Sequence, residues 1–106
     1  MHVSIRTYRI REGSLDEVMH RVDRDLADAF AREDGFVSYQ VAHTGGSHIA
    51  SITMFERPEQ AEASNQLAAS WVAEELVDFD VERMGIMGGE VMVSRAASGV
   101  LQPAHH

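Results

Sequence analysis

The chain has 106 residues, 44% of them apolar and 25% charged, with no cysteine and a formal net charge of -8 at neutral pH. That length suits one domain with one packed core, and the missing cysteines exclude disulfides, thiolate metal centres and a thiol nucleophile while suiting a reducing, cytoplasmic setting. The negative charge, with no basic helix or aromatic-interleaved basic patch, argues against nucleic acid. The absence of any long apolar stretch argues against a membrane span or a secretory leader.

Residues 3 to 10 alternate, with Val3, Ile5 and Thr7 on one side and Ser4, Arg6, Tyr8 and Ile10 on the other, which predicts a first strand. Ser14 stands three residues before Glu17 as in a capping box, and Leu15, Val18, Val22, Leu26 and Phe30 recur at helical spacing up to Gly35. "FVSYQVAHT", "GGS" and "HIASITMFE" read as a hairpin turning on two glycines. Pro58 suits a first helical turn, and the Ala-, Glu- and Gln-rich segment after it predicts a second helix to about Phe79, with a break expected near Ser64. "MGIMGG" reads as a loop, residues 90 to 96 ("EVMVSRA") as a short last strand, and 99 to 106 as a tail behind a single domain of residues 1 to 98.

Strand, helix, strand, strand, helix, strand is the ferredoxin-like α+β order, a four-stranded antiparallel sheet with helices on one face. Several strands carry apolar residues on both sides, among them Ile49 and Phe55 against Ile52 and Met54. Helices cover only one face of a sheet, so the other is expected to pack on a second copy in a symmetric homodimer.

The second helix raises the functional question. On a helical projection Asn65 lies about 120° from Trp71 and within the apolar stripe, whereas Trp71 falls at its margin beside Glu74 and Glu75. A buried asparagine needs partners, either local backbone or a ligand. Ala61, Ala68 and Ala69 leave room between helix and sheet, and a cavity with a few polar groups and an aromatic edge suits a small molecule. Trp71 has the alternative of simply covering core or dimer surface. Imidazole can take up a proton near neutrality, so His43 and His48 are candidate bases, and Tyr39 and Arg6 are candidate anion-orienting groups on the strands. The two histidines flank the hairpin turn, but no carboxylate stands near them, so no metal site is assigned. No dinucleotide or phosphate loop is present, so no cofactor is assigned either.

From "GFVSYQVAHTGG" through "IASITMFERPEQAEASNQLAASWVAEEL", with "VSIRTYRI" and "GEVMVSR" as outer strands, the chain resembles the antibiotic biosynthesis monooxygenase family. The shared features are a Gly-aromatic start to the second strand, the hairpin, the "S-x-T-M-F-E" strand and a following helix with a lone Trp in its second half. The resemblance implies a dimeric α+β barrel. It also implies cofactor-independent oxidation of polycyclic phenolic, quinol or anthrone-like molecules, with Asn65 and Trp71 lining the pocket as catalytic residues. Non-catalytic binding of a small molecule and proton transfer of the lactone-isomerase type are the alternatives on the same fold. The haem-degrading branch uses an Asn on the first strand and a His on the helix. "VSIRTYRI" holds no Asn, and no His lies between His48 and His105, so haem degradation is not expected.

Overall fold

The computed structural model describes residues 1 to 97. The proposed tail, 99 to 106, lies outside them. The elements are β1 (His2–Arg9), α1 (Leu15–Arg21) continuing through a π-helical turn (Val22–Leu26) into α2 (Ala27–Ala31), β2 (Phe36–Gly45), β3 (His48–Phe55), α3 (Pro58–Glu75), a 3-10 turn (Val77–Phe79) and β4 (Glu82–Glu90). The strands form one antiparallel sheet in the order β2-β3-β1-β4, which is the ferredoxin-like topology expected from the sequence.

The π-helical turn follows from the spacing of the buried residues. Val18, Val22, Leu26 and Phe30 are all buried and lie four residues apart, so in a regular α-helix each would drift about 40° past the one before it. One wider turn takes up that drift and keeps all four on the core. Phe30 is completely buried, edge-on to Tyr39 with ring centroids 4.8 Å apart.

Two elements differ from the sequence expectation. The second helix does not break near Ser64; α3 is continuous, because the Ser64 hydroxyl turns back to donate to the Ala61 carbonyl at 2.6 Å and lies 3.2 Å from Thr53 Oγ1. The last strand lies earlier than residues 90 to 96, and the expected "MGIMGG" loop is its interior. Two of the three glycines that suggest a loop are there for close approach: a Cβ on Gly88 would lie 2.9 Å from the Val3 carbonyl oxygen, and one on Gly85 would lie 3.2 Å from Thr7 Oγ1. Met84 is the extra residue of a bulge between the pairs Thr7 with Gly85 and Tyr8 with Arg83. Residues 91 to 97 carry no regular structure.

The two faces of the sheet are unlike. The face under the helices bears Ser4, Arg6 and Tyr8 from β1 and Ile49, Ser51, Thr53 and Phe55 from β3, all buried. The opposite face bears Val3, Ile5, Ile52 and Met54, with Met87 paired to Ile5, and none of the elements among the described residues covers it. The polar side of the first strand is therefore the buried one.

Candidate functional site

Arg6 is fully buried. Strand alternation turns it inward at the centre of the sheet, paired with Ser51 on one side and Ile86 on the other, and its guanidinium rises towards α3. Nη2 donates to Ser51 Oγ at 3.1 Å, and Nη1 donates to Thr53 Oγ1 at 3.2 Å and to Asn65 Oδ1 at 2.6 Å. The charge lies 5.5 Å from the centre of the Phe30 ring. Among the described residues Arg6 makes no ion pair, and its buried Nε has no hydrogen-bond partner. Burial away from water pulls its pKa below the usual arginine value. A buried charge is ordinarily paired; this one is held only by neutral oxygens.

Asn65 connects that charge to open space. A cleft of about 320 Å³ runs between the first turns of α3 and the β1–β4 edge of the sheet, with His2, Ser4, Ala61, Glu62, Asn65 and Ile86 in its wall. Asn65 accepts from Arg6 through Oδ1 and donates through Nδ2 to Glu62 Oε2 at 3.4 Å. Arginine has only donors, so Oδ1 must face it and the NH₂ group must face Glu62 and the cleft. The local backbone bond considered for Asn65 is replaced by these two side-chain contacts. Small buried residues at Ala61, Ser64 and Ala68 let α3 lie close enough over the sheet for Asn65 to reach Arg6.

The sequence-predicted site is thus partly assembled. Arg6 and Asn65 meet directly. Tyr39 is one step further along, its hydroxyl accepting from Ser51 Oγ at 3.5 Å, and it faces a void of about 20 Å³ in the core rather than the cleft. Ala68 is core packing under α3. Trp71 is half-buried against the core and is not in the cleft wall, since six residues of helix carry it to another side of α3 from Asn65. His43 is exposed at the hairpin, its Nε2–H donating to the Gly46 carbonyl at 2.8 Å, and His48 is exposed beside it at the start of β3. Neither approaches Arg6 or Asn65, because a hairpin end projects beyond the layer that the helices cover. Ser51 and Thr53 are not among the sequence candidates, although they carry a visible signal: small hydroxyl residues at alternate positions between Ile49 and Phe55, on the inward side of β3.

Burial also raises the Tyr39 hydroxyl, to about 12 from an ordinary 10.0. The unfolded chain would release that proton first, so the folded state holds more protons between these values and its stability falls as pH rises through them. Below pH 10 the contribution is fully present. Equilibrium unfolding followed from pH 9 to 12 should show a loss from Tyr39 approaching about 1.4 kcal/mol per unit above pH 10, and Tyr39→Phe should remove that part of the slope and leave the part from Tyr8, whose hydroxyl burial also raises.

The fold and cleft define the chain as a ferredoxin-like α+β domain with a ligand-sized cleft beneath its second helix. Solved structures of the same fold include a protein from Deinococcus radiodurans that carries the name of an antibiotic biosynthesis monooxygenase, with 17% identity over 93% of this chain and 100% of that one and a TM-score of 0.70. A second is a variant of MhuD, the haem-degrader of Mycobacterium tuberculosis, with two manganese protoporphyrin IX molecules bound per active site; it shows 20% identity over 92% and 100% of the two chains and a TM-score of 0.70. A third is a dimeric ferredoxin-like protein from an uncultured marine organism, with 12% identity over 91% and 98% and a TM-score of 0.68. These likenesses establish the fold, and the monooxygenase family that the sequence resembles is represented among the chains sharing it. No protein-family model and no curated protein sequence matches the chain.

Proposed function

We propose that the protein binds a small phenolic, quinol or anthrone-like molecule in the cleft beneath α3 and oxidises it with dioxygen without a cofactor. One observation carries this reading: the buried, unpaired Arg6 charge is relayed through Asn65 to the wall of that cleft. A cofactor-free oxidation needs the substrate as an anion, electron-rich enough to reduce dioxygen, and a fixed positive field steadies that anion. For an anthrone, a proton leaves the CH₂ group and the enolate passes one electron to dioxygen. The resulting radicals join as a peroxide, and loss of water leaves a carbonyl, so that one CH₂ and one O₂ become one C=O and one H₂O. His2 and Glu62 are the ionisable side chains in the cleft wall, and they replace His43 as candidates to receive the proton. Haem is not assigned, since α3 contains no histidine.

The test is oxygen uptake with an anthrone. Uptake that falls by roughly 10²-fold or more in Asn65→Ala, the range for removing a donor to a developing oxyanion, supports the reading. Saturable binding with no uptake would turn it into a binding domain or a proton-transfer enzyme.

The proposal includes a homodimer through the uncovered sheet face. Ile5, Ile52 and Met54 form an apolar stripe there beside exposed Met87, and a second copy would cover it. Ile52→Lys should halve the mass measured by sedimentation equilibrium while leaving the far-ultraviolet spectrum of the fold unchanged. Sedimentation as a dimer in that variant would move the interface elsewhere.

A further inference from the structure

The Arg6–Asn65–Glu62 chain specifies the polarity of the ligand more closely than the reading above. We infer that the cleft holds an anion subsite in which Asn65, its amide orientation locked by Arg6, donates N–H to a negatively charged oxygen of an aromatic ligand, and in which Glu62 fills that place until the ligand displaces it. This rests on the cleft assigned above as the binding site, but not on oxidation taking place there.

Three features converge. Arg6 holds Oδ1 at 2.6 Å and turns it inward, so Asn65 presents its NH₂ group to the cleft, where a ligand group that accepts meets a donor. Among the described residues no carboxylate pairs with the buried guanidinium, and one of its N–H groups is orphaned, so an anion brought to Asn65 would lie one amide away from an uncompensated charge. The group now accepting from Nδ2 is itself an anion, Glu62, at a long 3.4 Å and on the exposed side of α3. A long contact by an exposed side chain is weak and easily exchanged. Aromatic and aliphatic bulk has room beside Ala61, Ile86 and the bare backbone of Gly88.

The anionic oxygen could belong to a carboxylate or to a phenolate, and two probes separate them. One is 2-naphthoate, with its methyl ester as the neutral control. The other is 4-nitrophenol, whose coloured phenolate form reports binding as a change in the apparent ionisation of the dye. The expected result is saturable binding of at least one anion, at least about 10-fold tighter than its neutral form, equivalent to about 1.4 kcal/mol. Asn65→Asp removes the donors and gives Arg6 a carboxylate. It should fold at least as stably as the parent and lose the anion, which a purely structural Asn65 would not predict. Glu62→Gln, which removes the competing charge, should bind the anion several-fold more tightly. Shifts confined to the Asn65 side-chain NH₂ signals in a ¹H–¹⁵N spectrum would locate the contact. Equal affinity for ester and naphthoate, unaltered binding in Asn65→Asp, or no saturable binding of either probe would overturn the inference. Anion binding without oxygen uptake would uphold it and remove only the oxidation.

Discussion

Phe30→Ala is expected to lower the free energy of unfolding by about 3–5 kcal/mol, the range for an aromatic side chain removed from a packed core. Phe30 has no exposed surface, meets Tyr39 edge-on and lies beneath the Arg6 guanidinium. It is enclosed by the sheet and by its own helix, so the space it leaves cannot close without moving one or the other. Loss of the ring also removes a cation–π contact from a charge that no carboxylate among the described residues steadies. The measurement is urea unfolding of parent, Phe30→Leu and Phe30→Ala, with leucine retaining most of the packing. A cost below about 1.5 kcal/mol for alanine would mean that the site collapses freely, contrary to the tight packing described. The effect is large because typical domains are stable by only about 5–15 kcal/mol.

Arg6→Met is expected to separate activity from stability. Removing one member of a buried ion pair typically costs about 3–5 kcal/mol, because the other charge is stranded. Here no opposite charge is left behind. Ser51 retains its contact with Tyr39 and Thr53 its contact with Ser64, so the one group that loses its sole strong donor is the Asn65 carbonyl. An unsatisfied carbonyl costs about 1–3 kcal/mol, and relief of the desolvated guanidinium offsets part of that. The net change in stability should therefore stay within about 2 kcal/mol by the same reckoning. The proposed oxidation, in contrast, should fall by about 10²-fold or more, since on that reading an Asn65 free to rotate no longer holds its N–H groups at the developing negative charge. Oxygen uptake and a thermal melt on the same sample decide the matter. Full activity in a folded Arg6→Met protein would remove the buried cation from the mechanism.

How much of this was legible beforehand differs by element. The hairpin announced itself through two glycines between alternating strands, and α3 through Pro58 and a run of good helix formers, because these depend on local backbone preference. β4 is hidden for the same reason: Gly85, Gly88 and Gly89 look like turn residues in isolation, whereas two of them sit in the strand opposite Thr7 and Ser4, where side chains or carbonyls of β1 come close. Ser64 suggests a break because its hydroxyl can compete with the helix, but bonding back to Ala61 and standing beside Thr53 satisfy it without ending the helix.

For the site, the sequence by itself determined which residues are available and on which side of each element they fall. Arg6 stands on the Ser4–Tyr8 side of β1 and Asn65 within the inward stripe of α3, and both follow from period alone. Which side of β1 the helices would cover was beyond that reading, since one side carries Val3 and Ile5 and the other Arg6. Local hydrophobicity favours burying the first, but the fold buries the arginine under the helices and leaves the apolar side uncovered. That choice belongs to the tertiary structure, because Arg6 becomes tolerable in the interior only when Ser51, Thr53 and Asn65, distant in sequence by 45 to 59 residues, converge on its guanidinium.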